Sequence, residues 1–582
     1  MSIVHIRHIT KFFDREFQSL VDMADYQGRH QDEVNDAFHT RTQAAYSLVV
    51  LAKLDSSIAA AAVTDSFDDN GIDAIYYDQD DRLLYLVQSK WHRNGQGSVE
   101  SADVMKFVQG VRDLLDANFS RFNAKVMAKK ATVLMALDEP TLRVHLVLAH
   151  TGVQQLSTHA KRPLTDLLNE INDATNIAST TLLTQTELHK AISSDAEGSS
   201  IKLEVMLHEW GQCKQPYPAY YGQVEAADIG RWWTEHQQLL FTKNLRKFTG
   251  STEVNEGIKE TLSHEPAKFW YFNNGITILC NSIQKKALGG SKRTSGVFVC
   301  EGVSVVNGAQ TVGCIGETAG TNPDALGNAR VGVRLISLAR CPEGFGTNIT
   351  RAANTQNRIE RRDFAALDPE QERLRKELQL ELGKTYFYKS GDTPGSPADG
   401  CTIEEATVAL ACASEDISLA VQAKREVGKL WEDIARPPYK LLFNGSLTAL
   451  RMWRLVEILR IVDTTLKQEQ DAKSGRQRMV AVHGNRFVLH HVCRLIGVDS
   501  FDSSQIDFDE AKAKSQTMTP SVLDVLFTHV EKEFPGAYTN SLFKNATKCK
   551  TLSEKVTTDP AMRSDRTTAP VKGKVTRGKS KA

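Results

Sequence analysis

Apolar and polar positions are most informative between residues 64 and 91, TDSFDDNGIDAIYYDQDDRLLYLVQSKW. Ile72 to Tyr77 is β-branched and aromatic, and Leu83 to Val87 is a continuous apolar run. Asp78-Gln79-Asp80-Asp81 between them carries turn chemistry, so the stretch predicts a β-hairpin. Asp73 lies at the start of the first strand, and Gln88 and Lys90 end the second. Side chains alternate along a strand, which puts Gln88 and Lys90 on one face and Ser89 on the other. An antiparallel return brings all three functional groups to one sheet edge.

Before this hairpin, residues 31 to 54 read as a helix with Val34, Phe38, Ala45, Leu48 and Ala52 on an apolar stripe. After it, Val104, Phe107, Val108, Val111 and Leu114 predict a helix over Ser101 to Leu115, and Val144 to Ala149 a buried strand ending at His150. That order suits a small α/β core. From residue 239 the style changes. LLFTKNLRKFTG, KFWYFNNGITILC, VSVVNGAQTVGCI and ITRAANTQN set Asn, Gln, Thr and Arg against apolar runs. Phe269 to Phe272 and Ile276 to Leu279 read as strands joined by Asn273-Asn274-Gly275. Val303 to Val306 and Val331 to Leu338 read as further strands. Beyond Asp363 the pattern is helical, with segments at Phe364 to Leu382, Ile403 to Ala413, Leu447 to Leu466 and Arg478 to Ile496. His483, His490 and His491 fall on one face of the last of these, and read as core or surface histidines rather than a metal set.

At 582 residues the chain exceeds one core. Lysine plus arginine and aspartate plus glutamate both total 71, so any contact with nucleic acid needs a local patch rather than a global field. Nine cysteines without a CxxC pair argue for reduced thiols and against a zinc ribbon. No apolar run approaches 18 residues and the N-terminus lacks a signal-peptide pattern, so a cytoplasmic protein with no membrane partner is expected.

The hairpin residues have a chemical use. Mg²⁺ takes oxygen ligands from one or two carboxylates, water and substrate phosphate. Asp73 and Gln88 are the candidate metal-site residues, and Lys90 the group that orients or deprotonates an attacking water and offsets charge on phosphorus. Gly71-Ile72-Asp73 and Gln88-Ser89-Lys90 resemble the PD-(D/E)xK nuclease superfamily in its Mrr-like QxK variant. That resemblance implies a restriction-endonuclease-like α/β core and one more acid from the preceding helix, where Glu33 or Asp36 is expected. A surface hairpin with solvated charges is the plain alternative.

The later amide-rich segments point to recognition of a polar ligand rather than proton transfer, because amides donate and accept without titrating. Asn244, Arg246, Asn273, Asn274, Asn307, Gln310, Thr311, Arg351 and Asn354 are the candidates for a shared pocket; stitching a scaffold is the alternative role. FWYFNNGITI, VVNGAQTV, the upstream KNLR and the downstream NTQN together resemble the AIPR family of bacterial abortive-phage-resistance proteins. A weaker similarity ties VNGAQT to the DGQQR-type motif of ParB-like domains. Asn307 stands where that motif has an acid, and nucleotide hydrolysis is not inferred.

The expected layout is therefore α/β and multidomain. A nuclease-like domain spans 1–210, an aromatic connector 211–235 (Tyr217, Tyr220, Tyr221, Trp232, Trp233) and a mixed α/β AIPR domain 236–400. A helical part covers 401–555 and a disordered basic tail 556–582. The resemblance implies anti-phage defence by a Mg²⁺-dependent nuclease cutting DNA or RNA, with the AIPR domain sensing or regulating. The alternative is a non-catalytic nucleic-acid or nucleotide-binding defence protein. Expected partners are nucleic acid, a second copy of the chain, and a phage-derived trigger or small polar ligand.

Overall fold

The hairpin forms where its period-two pattern places it. In the computed structural model β1 (Ala74–Asp78) pairs antiparallel with β2 (Leu83–Lys90), Ala74 opposite Val87. The structure describes residues 2–197, 201–241, 253–286, 293–342, 344–355, 365–389 and 395–564. The chain is mixed α/β and divides into two units, Met1–Ile192 with Glu360–Ala582, and Ser193–Ile359.

In the first unit β3 (Arg143–His150) and β4 (Ala178–Leu183) continue the sheet in parallel, in the order β1-β2-β3-β4. The N-terminal helices are α1 (Ser2–Phe17), α2 (Gln31–Ala52) and α3 (Ser56–Ala61); α4 (Ser101–Leu115), α5 (Ala124–Ala128), α6 (Lys130–Asp138), α7 (Thr158–Ile171) and α8 (Gln185–Glu197) follow. Alternation along the strands feeds two cores. Leu84, Leu86, Leu146 and Leu148 pack with α4 and α7, whereas Tyr85, Val87, Val147 and Ala149 pack with α1 and α2.

The helical segments after residue 365 belong to this same unit and have their own core, built on Ala449–Ala472, Asn485–Ile496 and Phe508–Glu533. They also reach the sheet layer. Met479, Val482 and Tyr538 join the apolar cluster of Phe107, Leu114 and Leu146. Around that contact Arg476 pairs with Asp116 at 3.2 Å, Arg478 with Asp138 at 2.8 Å and Lys548 with Asp173 at 2.9 Å. The single helix expected over Arg478 to Ile496 is two, Gly475–His483 and Asn485–Ile496. They part at Gly484, where a side chain would press on Val480 O and the Phe543 ring. His483, His490 and His491 are all buried, but not on one helix face.

The second unit holds a seven-stranded sheet, order β10-β7-β11-β6-β5-β9-β8. The strands are β5 (Lys202–Cys213), β6 (Ala219–Glu225), β7 (Ile276–Cys280), β8 (Ser282–Lys285), β9 (Ser295–Glu301), β10 (Ser304–Asn307) and β11 (Arg330–Ser337). The helices are α9 (Ala226–His236), α10 (Glu253–His264), α11 (Phe269–Phe272), α12 (Ala309–Thr321) and α13 (Phe345–Thr355). Three expectations need correction. Residues 201–210 start a strand of this second sheet, because Leu203, Val205 and Leu207 point into its core. The aromatic stretch 211–235 is strand and helix rather than connector: Tyr220 packs on Phe298 with ring centroids 4.7 Å apart, and Trp233 lies against Gly316. Phe269–Phe272 is a helical turn rather than a strand. It continues a 3-10 turn begun at Pro266, buries Phe269 alone, and leaves Trp270, Tyr271 and Phe272 exposed together.

The basic tail beyond residue 564 lies outside the described residues. Among the described residues, no helix is long and apolar enough to cross a membrane.

Candidate metal centre at the hairpin edge

Three carboxylates meet where the hairpin opens. Residues 63–65 run antiparallel beside the start of β1: Val63 bridges Ala74, and Thr64 N and Asp65 N both donate to Asp73 O, at 2.8 and 3.1 Å. A tight turn follows, in which Gly71 N donates to Asp69 Oδ1 at 2.7 Å and Ile72 N to Asp69 O at 3.2 Å. Gly71 is required there. Its φ is +80°, and a Cβ would stand 2.9 Å from Phe107 N. The result sets oxygens of Asp65, Asp69 and Asp73 within 4.8 Å of one another, and among the described residues no other such group could hold a metal ion.

Each acid is held separately. Asp73 Oδ2 accepts from Ser89 N at 2.6 Å. Asp65 Oδ2 accepts from Arg41 Nε at 2.8 Å, while the same buried guanidinium forks onto both oxygens of Asp25 at 2.7 Å. Asp69 Oδ1 accepts from Lys106 Nζ at 2.8 Å. Burial, then the charges of Asp65 and Asp69, push the Asp73 carboxyl well above the usual carboxylate range. Burial also raises Asp65, although the Arg41 hydrogen bond opposes it. Such a set of buried like charges favours a bound cation.

Gln88 and Lys90 lie on one face of β2 as the alternation requires, and Ser89 on the other, where its hydroxyl donates to Thr40 O of α2 at 2.9 Å. The Gln88 amide nitrogen donates to Asp103 O at 3.0 Å, and Lys90 Nζ pairs with Asp103 Oδ1 at 2.7 Å. Gln88 is 2% exposed, and its Oε1 is buried without a hydrogen-bond partner. That oxygen suits a metal ligand, because an orphaned buried acceptor costs free energy unless something meets it. Asp65, Asp69, Asp73, Gln88, Lys90, Trp91 and Lys106 line one pocket of about 200 Å³.

Of the residues expected here, Asp73, Gln88 and Lys90 are brought together. Glu33 is not among the lining residues; it sits exposed in the first turn of α2 beside Arg29, and Asp36 pairs with Arg93. Asp65, Asp69, Asp103 and Lys106 were missed. Two signals pointed to them: acids at 65, 69 and 73 in a glycine-containing turn, and polar or small residues at 103, 106, 110 and 113, spaced to share one side of an amphipathic helix. His150, at the end of β3, is fully buried with both ring nitrogens unpartnered, and burial, reinforced by nearby His92, lowers its pKa to about 4.

In the second unit the FNNG and NGAQT segments do meet. Asn273 Nδ2 donates to Thr311 Oγ1 at 3.2 Å, and Asn273 Oδ1 accepts from Gly275 N at 2.9 Å. Asn274 is exposed, and Asn307 and Gln310 are half-buried around the start of α12. Gly308, φ +87°, packs against Ile276 and Gly275 O. The Asn273–Thr311 bond ties the FNNG turn to the first turn of α12. Asn244 and Arg246 lie outside the described residues. Arg351 and Asn354 fall on α13, and their side chains lie outside the described set.

No curated protein and no solved structure gives a match to the chain. The family described as AIPR protein matches residues 241–533, half of the chain. The segments FNNGITI and VVNGAQTV, which meet at the start of α12, fall inside that match, whereas the acidic pocket precedes it. The chain belongs to the AIPR protein family.

Proposed function

We propose that the pocket at Asp73 is a divalent-metal phosphodiesterase centre acting on nucleic acid, DNA or RNA, in an anti-phage defence protein. Membership of the AIPR family points to abortive-infection defence. The observation that carries the nuclease reading is the orphaned, buried Gln88 Oε1 in one pocket with three carboxylates and two lysines. Asp65, Asp69, Asp73 and Gln88 would hold Mg²⁺, a hard cation suited to oxygen donors. When bound, the ion supplies charge neutralisation for a phosphodiester and acidifies water.

The chain's own residues do the rest. Ser89 N and Arg41 fix the carboxylates, so that little reorganisation accompanies the reaction. Lys90, half-exposed at the pocket rim, hydrogen-bonds the attacking water and faces the charge that grows on the phosphoryl oxygens. Lys106, on the Asp69 side, offers a second ammonium to a phosphate. Asp103 positions both Gln88 and Lys90. The AIPR region serves as the sensing or regulatory part.

A second reading, a non-catalytic nucleic-acid-binding protein, is favoured by the Lys90–Asp103 ion pair, which engages the lysine that chemistry would need. One experiment separates them. Full-length protein is incubated with plasmid and with single-stranded DNA and RNA, with Mg²⁺ or with EDTA, beside Lys90→Ala. Metal-stimulated cleavage lost in Lys90→Ala supports the first reading; binding without cleavage in either protein supports the second.

A further inference from the structure

Phe67 stands between two of the three carboxylates and points away from them. It is 60% exposed, although side-chain hydrogen bonds brace the loop that carries it. Ser66 Oγ donates to Asp25 Oδ2 at 2.6 Å, Asn123 Nδ2 to Thr64 O at 2.9 Å and Lys106 to Asp69. Asp68 and Asn70 both adopt left-handed backbone, φ +59° and +55°, which costs free energy for residues other than glycine. That geometry turns Asp65 and Asp69 inward and Phe67 outward. A flexible loop with an exposed ring would need no explanation; a braced one holding a large apolar ring in water does.

The ring has company suited to a nucleotide. Tyr26 lies nearly parallel to it, with centroids 6.1 Å apart and planes 13° apart, and the Arg29 guanidinium is 5.4 Å from its centroid. Tyr26 is itself fixed, since the buried Arg41 that holds Asp65 sits 4.9 Å over its ring. One guanidinium therefore ties the aromatic pair to the carboxylate cluster. Aromatic faces stack on unpaired bases, and an exposed arginine beside them meets the phosphate.

We propose that Phe67, backed by Tyr26 and Arg29, is a stacking platform for an unpaired nucleobase of a strand whose phosphate meets Lys90 and Lys106 at the pocket. The protein then takes single-stranded or locally opened nucleic acid in preference to intact duplex. This rests on the nuclease reading and names its substrate class. Bases inside a duplex already stack on one another and have no free face to offer Phe67.

The test uses full-length protein in a Lys90→Met background with Mg²⁺, so that binding is read without cleavage. Fluorescence anisotropy follows a labelled 20-nucleotide single strand and its duplex, as DNA and as RNA. Phe67→Ala is expected to weaken single-strand binding about tenfold, the loss of one stacked base, and to leave duplex binding and melting temperature unchanged. Phe67→Trp should retain the affinity, and raising the salt should not shrink the difference between Ala and Phe. Equal single-strand binding by Phe67→Ala and its parent overturns the platform, and so does a change confined to oligomeric mass, which would make Phe67 a contact between copies. If the Lys90-intact protein neither binds nor cleaves any of these nucleic acids with Mg²⁺, the nuclease reading itself falls and the platform with it.

Discussion

With 5% of its surface exposed and two further acids beside it, Asp73 makes the folded chain hold a proton more tightly than the unfolded chain does. The sign follows from linkage. A raised folded pKa gives stability that is full below pH ~4 and is lost as pH rises through the raised value. Without divalent cation, Asp73→Asn should therefore melt higher at pH 7, by about 1 °C for each kcal/mol recovered in a unit of this size, while keeping the acceptor for Ser89 N. Mg²⁺ should raise the melting temperature of the parent but not of the variant. Differential scanning fluorimetry in EDTA and in Mg²⁺ reads both; a parent insensitive to Mg²⁺, Mn²⁺ and Ca²⁺ would speak against a metal at this site. His490 works in the opposite direction. Burial holds it neutral, with Nδ1 donating to Cys412 O at 3.1 Å and a pKa lowered to about 4. A depressed folded pKa gives stability present above pH ~6.5 and lost as pH falls toward the folded value. The melting temperature should fall across that window, and less steeply in His490→Asn, which keeps a donor near Cys412 O. At this scale the sequence disclosed Asp73, Gln88 and Lys90 because strand alternation dictates where they point. Asp65 and Asp69 stood out as acids in a glycine-containing turn, but an irregular turn has no period to say where its side chains point; the bridge of Val63 to Ala74 brings them in.

Among the elements, α4 is the one that reads the site. Asp103, Lys106, Gly110 and Asp113 succeed one another along one side of it, touching β2, Asp69, the backbone of Asn70 and the Asn70 side chain. Gly110 has no room for a Cβ, because Asn70 O occupies the place. Gly110→Ala should cost about 1–3 kcal/mol through displacement of the 69–71 turn and weaken metal binding more than Gly→Ala in a helix would explain. Isothermal titration with Mn²⁺, beside a melting curve, separates the two effects. An unchanged affinity would show that the turn does not depend on this packing. The helix itself was fully legible, Ser101 to Leu115 in pattern and in structure, as was Ile403–Ala413. Elements failed where local pattern is ambiguous. Four aromatics in a row fit strand or helix, and Pro266 decided for helix. The helical pattern of 478–482 resumes at 487, and the break between them falls at Gly484, a residue with low helix propensity.

For the molecule as a whole, the division into an N-terminal nuclease-like part and a later helical part does not survive as a physical one. The sheet layer and the helices after residue 365 share a core through Met479, Val482 and Tyr538, flanked by Arg476–Asp116 and Arg478–Asp138. Residues 1–192 expressed alone should lack a cooperative melting transition, because the apolar surface that these side chains cover faces water. Co-expression with residues 360–582 should restore it. A cooperative transition in the fragment alone would count against the shared core. Sequence periodicity could not reveal this joint, since it reports which face of an element is buried and not which distant segment buries it.

That shared core also sets an order of events during synthesis. At ordinary elongation speeds the ribosome leaves β4 behind and needs on the order of tens of seconds more before Met479 and Tyr538 emerge. Until then the acidic pocket has its strands and its turn, but the apolar cluster on the α4 side of the layer lacks the side chains that complete it. A transcript cut short, or a nascent chain released early, yields a polypeptide that cannot complete the layer carrying the carboxylates. For a protein whose proposed chemistry endangers its own host, such a joint would tie completion of the centre to synthesis of the chain as far as Tyr538.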